Sequence, residues 1–175
     1  MECLALYSSD IKAETFGVGG AELNWIKVYG LEKPNLLIGG HQLKVCCRFS
    51  WQIDFVQSLI TNDGYKKDIT LGVALVDHKG TPLFGCNGFD YGVPIDCLQN
   101  GFASVEFNLK LPYLNEGDYF LTTAIALGNL KHHVQLKWYD SLIQLKCMKE
   151  ERNVFGVFAI DYEMKKISTD ELVYE

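Results

Sequence analysis

The sequence has no motif that would hold a nucleotide. Neither G-x-x-x-x-G-K-[ST] nor a G-x-G-x-x-G that opens a helix occurs in it. Gly17, Gly19 and Gly20 cluster, but the residues after them alternate like a strand. G-x-S-x-G and H-E-x-x-H are also missing, which removes two common hydrolase frameworks. None of the six cysteines, Cys3, Cys46, Cys47, Cys86, Cys97 and Cys147, forms a C-x-x-C pair. Cys46 and Cys47 are adjacent in a strand-like run, so they point to opposite faces and suit no shared metal ion. The cysteines read as small apolar residues of a reducing compartment. No metal and no cofactor is expected. No signal peptide opens the chain, and no apolar run approaches the ~18 residues of a transmembrane helix. The expected location is cytoplasmic, with no direct membrane insertion.

Positive charge is also short. Sixteen Lys and Arg stand against 22 Asp and Glu, a formal net charge of -6. An acidic surface repels phosphate backbones, which argues against nucleic acid and against anionic membranes as partners. The densest basic stretch, Lys131 to Lys137, is broken by apolar residues.

What the chain does have is alternation. Its 175 residues are 48% hydrophobic, enough for one domain with a core that needs no disulfide or metal. Short runs of period two are bounded by Gly, Pro, Asn and Asp, the signature of strands and turns. Strands are expected at about 22–31, 41–52, 69–76, 82–86, 103–111, 118–127, 134–139, 142–148 and 157–162. In the second, Leu43, Val45, Cys47 and Phe49 form one face. In the first, Ile26 and Val28 face in while Trp25, Lys27 and Tyr29 face out. Residues 55–67 read as a polar, irregular loop with a turn at Asn62-Asp63-Gly64, and no long helix is expected. A second long loop holds Phe89, Tyr91 and Pro94. The fold class that follows is all-β, an immunoglobulin-like antiparallel β-sandwich of about nine strands over residues 19–165. Residues 1–18 read as a linker or tail and 166–175 as a C-terminal tail. Leu114-Asn115-Glu116-Gly117-Asp118-Tyr119 is similar to the tyrosine corner of such sandwiches, which makes Tyr119 structural. The last strand follows a charged tether, Lys149 to Asn153. It is open to two pairings, with its own sheet or with a second subunit's in a swapped dimer.

Candidate chemistry is sparse. His132 and His133 are adjacent and read as a solvated turn; His41 and His78 also lie beside turns. Asp161 and Glu163 are two apart on a strand and could flank a sugar as a glycosidase pair does, though solvated acids are the plainer reading. Asp77, Asp90 and Asp96 read as turn residues. Aromatics are plentiful, with three Trp, nine Tyr and ten Phe. Sugars lay their C–H faces on aromatic rings while planar polar side chains take their hydroxyls. On that chemistry the candidate carbohydrate-binding residues are Trp25, Arg48, Trp51, Gln135, Trp138 and Tyr139. No catalytic residue is assigned. Small residues recur at Thr70, Gly72 and Ala74 and at Thr122, Ala124 and Ala126. If those two strands pair, one sheet face has a shallow floor with room for a ligand or another subunit.

The order of several short stretches resembles a known family. They are Gly20-Ala21-Glu22-Leu23 before Ile26-Lys27-Val28; Gly39-Gly40-His41-Gln42-Leu43; Leu71 to Asp77 running on to Gly80-Thr81-Pro82-Leu83-Phe84-Gly85-Cys86-Asn87; Gly117 to Thr122; and Gly156-Val157-Phe158. Together they resemble the C-terminal polysaccharide-recognition domain of O-antigen ABC-transporter ATPases, the Wzt type, over about residues 19–162. Gly88 stands where the family usually has Thr, and Leu145-Lys146-Cys147 where it typically reads Phe-Glu-Val. The resemblance implies an immunoglobulin-like, cytoplasmic, dimeric module that follows an ATPase domain in the same polypeptide and works with the transporter's membrane subunit. That ATPase is not in this sequence. The implied function is non-catalytic recognition of a lipid-linked O-antigen polysaccharide, with its non-reducing end as a candidate epitope, to select it for export. The competing expectation is a dimerisation or scaffold sandwich that binds no glycan.

Overall fold

Period-two alternation puts one side of each strand into a shared apolar interior, and two sheets close over it. The computed structural model describes residues 3–7 (backbone only), 13–89, 92–93, 95–148 and 154–160. In chain order the elements are β1 (Cys3–Tyr7), β2 (Glu14–Phe16), β3 (Ala21–Tyr29), β4 (Leu36–Leu37), β5 (Gln42–Trp51), α1 (Ile53–Asp63), β6 (Asp68–Asp77), β7 (Pro82–Asn87), β8 (Ile95–Asp96), β9 (Phe102–Lys110), β10 (Tyr113–Leu114), β11 (Gly117–Asn129), β12 (His132–Cys147) and β13 (Phe158–Ala159). One sheet runs β1-β3-β5-β9. A larger one runs β2-β12-β11-β6-β7, with β4 beside β12 and β8 beside β6, and β10 and β13 form a separate two-stranded sheet. Every pairing is antiparallel except β4 with β12.

The inward faces match the alternation. Leu43, Val45, Cys47 and Phe49 of β5 and Ile26 and Val28 of β3 are buried, as are Leu71, Val73 and Leu75 of β6 and Leu121, Ile125 and Leu127 of β11. Burial raises the Cys47 thiol to about 12, so it remains a packed apolar group. Cys97 and Cys147 are buried too, and the five cysteines with described side chains are free thiols. Tyr119 is buried, and its hydroxyl donates to the Asn115 carbonyl at 2.9 Å, the tyrosine-corner bond. At the β6–β7 turn, Asp77 Oδ1 accepts from the Lys79 and Thr81 amides, and those bonds hold its carboxyl below the usual range.

Four expectations are corrected. First, residues 53–63 form a helix and not a loop. Ile53, Val56 and Ile60 recur at helical spacing and pack against the core with Phe55 and Leu59. The polar residues between them masked that period. The Asn62-Asp63-Gly64 turn is the helix terminus: Gly64 takes a left-handed conformation and its N–H donates to the Ile60 carbonyl. Gly20, at φ +75°, leaves room for the Phe55 ring, which a Cβ there would strike. Second, residues 3–7 and 14–16 are strands on sheet edges and not featureless tail.

Third, the seventh and eighth strands are one strand, β12, bent at Ser141. Between Leu121↔Ile143 and Thr123↔Tyr139 the single residue Thr122 faces a bulge. Its buried hydroxyl donates to Asp140 Oδ1 at 3.1 Å and accepts the Ser141 N–H at 3.3 Å. Fourth, among the described residues the last strand is the two residues Phe158–Ala159. Within this chain it pairs with β10, with Tyr113 opposite Ala159 and Leu114 opposite Phe158. Asp161, Tyr162, Glu163, the 166–175 tail, the Lys149–Asn153 tether, Asp90, Tyr91 and Pro94 lie outside the described residues.

Candidate functional site

The small residues do meet. β6 and β11 pair so that Ala74 faces Thr122, Gly72 faces Ala124 and Thr70 faces Ala126. All six sit on the outer face of the larger sheet, because Leu71, Val73, Ile125 and Leu127 between them point inward. With so little side chain the sheet surface is hollow there. The depression has a volume of about 370 Å³, at the small end of the range for ligand clefts, about 300–1,000 Å³.

Larger side chains wall it. Trp138 and Gln135 of β12 stand on one side, and Asn87 and Phe89 at the end of β7 on the other. Leu130, at the tip of the β11–β12 turn, closes an end. The turn is held by Asn129, whose Oδ1 accepts the Lys131 and His132 amides at 2.9 Å. Trp138 is itself braced. Phe16 of β2 lies opposite it in register and stacks on its indole, with centroids 5.5 Å apart and planes at 17°. Gln135 is fixed through Nε2, which donates to the Ile125 carbonyl at 2.6 Å and to the Lys137 carbonyl at 2.8 Å. Oε1 is therefore its remaining hydrogen-bonding atom, an acceptor for a hydroxyl. Asn87 Oδ1 accepts the Phe89 N–H at 2.9 Å, which sets the start of that wall. The hollow thus offers an aromatic flank, an apolar floor and a few neutral polar atoms.

The six sequence candidates separate into three pairs. Trp138 and Gln135 line the hollow. Trp25 and Arg48 face each other in register on the outer side of the opposite sheet. There Arg48 lies 4.3 Å from the centroid of the Phe102 ring, and Lys27 Nζ is 5.4 Å from that of Trp25. Trp51 and Tyr139 belong to the core, each 6% exposed. The Trp51 indole N–H donates to the Cys97 carbonyl at 2.9 Å, and the Tyr139 hydroxyl accepts the Leu23 N–H at 2.8 Å. Neither ring can be a stacking platform, which corrects their place among the sugar-binding candidates. Trp51 lies on the inward side of β5's own alternation, and the two bulges in β12 turn Tyr139 inward.

Reasoning along the chain missed Phe89, Leu130, Asn87 and His133 as lining. His132, next to His133, stacks on Tyr65 with centroids 4.5 Å apart, tying the turn to the chain just after α1. A second hollow, about 440 Å³, lies between β9 and the β7–β8 edge, lined by Ile95, Val105 and Phe107 among others. It is the open seam of the sandwich, where inward-facing side chains of β9 are only half covered. No group of three or more His, Cys, Asp or Glu could hold a metal among the described residues. No helix among them is long and apolar enough to cross a membrane.

Fold and surface together define a two-sheet antiparallel sandwich whose larger sheet carries a hollow on its solvent face. A family model matches it over residues 12–160, described as the Wzt C-terminal domain. The chain belongs to that family. A solved structure, "Crystal structure of the C-terminal domain of wzt", shares the fold, with a TM-score of 0.71, 20% identity and 89% of each chain covered. Comparison with curated proteins gives no match. The family is that of non-catalytic C-terminal domains of O-antigen transporter ATPases, and membership supports a role in polysaccharide recognition by such a transporter.

Proposed function

We propose that this domain binds an O-antigen polysaccharide in the hollow on its larger sheet and breaks no bond in it. The observation that carries the reading is the braced Trp138 indole beside a floor of Gly, Ala and Thr, with neutral polar atoms at the wall. A sugar ring lays a C–H face on such an indole while its hydroxyls reach the rim. In this reading the domain selects the lipid-linked glycan, its non-reducing end included, for export across the inner membrane. It acts on the cytoplasmic side, joined to an ATPase domain and, through it, to the transporter's membrane subunit. Family membership supports these partners.

Filling the floor tests the site. Ala124→Leu adds bulk at the centre of the hollow, opposite Gly72, without touching the interior. Calorimetry against the cognate polysaccharide should show affinity falling at least about tenfold, with an unchanged melting temperature. Unchanged affinity would place the glycan elsewhere.

The segment 154–160 carries a second proposal, a homodimer. Phe155 is 97% exposed, and Val157, Phe158 and Ile160 are exposed as well. The segment holds to its own chain through the short β10–β13 pairing and a bond from Asn115 Nδ2 to the Gly156 carbonyl. An exposed apolar segment beside a two-residue strand suits exchange with a second copy. Sedimentation should show a dimer that becomes monomeric when residues 154–175 are deleted. If the deleted chain remains dimeric, the contact lies on another surface.

A further inference from the structure

Gln135 lines the hollow with a side chain that has little freedom. It stands beside the Leu136 bulge of β12, where Gln135 pairs with Ala126 and Lys137 with Ile125. Its Nε2 donates across that bulge, at 2.6 Å to the Ile125 carbonyl and at 2.8 Å to the Lys137 carbonyl. Only the nitrogen end of the amide suits this place, because an oxygen there would meet two acceptors. Oε1 is thereby turned away from the bulge, and no described residue donates to it.

The other edge of β12 clamps the same bulge. The Val18 N–H donates to the Gln135 carbonyl at 3.0 Å, and the Gly19 N–H donates to the Leu136 carbonyl at 2.9 Å. Gly17, at φ +132°, comes so close that a Cβ would lie 2.4 Å from the Leu136 carbonyl oxygen. The glycine cluster near the start of the chain therefore serves the wall of the hollow. The bulge also decides where Trp138 goes. On a straight strand residues 136 and 138 share a face, yet Leu136 is buried in the core and Trp138 lines the hollow. Gln135 and Trp138 lie opposite Ala126 and Ala124, two residues apart on one face of β11, so they are roughly 7 Å apart along the wall. A sugar ring on the indole thus brings its hydroxyls to the Gln135 oxygen.

We propose that Gln135 is the specificity-determining acceptor of the hollow: its oxygen takes a hydrogen bond from one hydroxyl of the sugar that stacks on Trp138. This rests on the glycan-binding reading above and names the residue that reads the sugar. The bulge holds the amide in place before the sugar arrives, so little side-chain freedom is lost on binding. A site built around a fixed acceptor rejects an analogue whose matching group cannot donate, because the acceptor is then left unpaired.

The probes are methyl glycosides of mannose, rhamnose, galactose and N-acetylglucosamine, each with the set in which one hydroxyl at a time is replaced by fluorine. Fluorine adds little bulk and cannot donate. NMR on the full, isotope-labelled chain reads the affinity and the Gln135 side-chain amide together. In the free protein both amide protons should exchange slowly with water. A parent glycoside should shift the Gln135 amide carbon. One of its fluoro analogues should bind at least about tenfold more weakly and leave that carbon unmoved. Gln135→Met keeps the length and removes the acceptor, so there the parent and that analogue should bind alike. A merely structural role would weaken both by one factor and keep their ratio. If Gln135→Met does not fold, the wild-type carbon shift decides alone. Fluoro analogues that all bind as tightly as their parent, with binding lost in Trp138→Ala, would overturn the role of Gln135 and keep the glycan site. If no glycoside moves the Trp138 indole N–H, the glycan reading falls and the role of Gln135 falls with it.

Discussion

Trp138→Ala is expected to weaken glycan binding at least about tenfold, a loss of ~1.4 kcal/mol or more, while the domain stays folded. The indole forms the aromatic flank of the hollow and is held in place by Phe16. It lies on the outer face of β12, opposite Ala124, so its removal opens no cavity in the interior. Trp138→Phe keeps an aromatic face and should retain part of the affinity. Trp25→Ala removes a comparable ring from the opposite side of the molecule and should leave affinity unchanged. Calorimetry reads the affinity, and a thermal melt followed by circular dichroism reads the fold. Loss of binding in Trp25→Ala with none in Trp138→Ala would move the site to the smaller sheet, where Arg48 and Phe102 lie.

Trp51→Ala should behave in the opposite way. The ring is 6% exposed, and its N–H satisfies the Cys97 carbonyl. Truncating a buried Trp typically costs about 3–5 kcal/mol through lost burial and the cavity left behind. Against a total of about 5–15 kcal/mol, typical of a domain, that is a large share. Denaturant titration should show a much lower midpoint with a similar slope. The fraction that remains folded should bind glycan with unchanged affinity. Reduced affinity in that fraction would return Trp51 to the binding surface.

The contrast between these two tryptophans shows what alternation can and cannot supply. Trp51 continues the inward series Leu43, Val45, Cys47, Phe49, and its burial was legible from that series. Tyr139 was not legible. β12 carries two bulges, one at Leu136 and one at Ser141, and each shifts which residues face inward. A count of two along the sequence loses register there. The helix 53–63 was hidden for a related reason. Its apolar residues other than Val56 are only half covered, and polar residues separate them. A weak helical period among polar residues reads like a loop until a sheet lies beneath it. Phe89 and Leu130 escaped notice because turns place them, and a turn residue's neighbours come from distant parts of the chain.

By itself the sequence determined the all-β class, the inward faces of β3 and β5, the small residues of β6 and β11 that share a face, the tyrosine corner and the family. All of these depend on local alternation, turn chemistry and the order of short stretches, and each is a property of residues close together in the chain. Only the tertiary structure decided where the hollow lies. The floor exists because β6 and β11 pair in one register, and its walls come from β7, β12 and the turn between β11 and β12. That coincidence depends on hydrogen bonds between residues some fifty positions apart, such as Thr123 to Gly72, which no local pattern encodes.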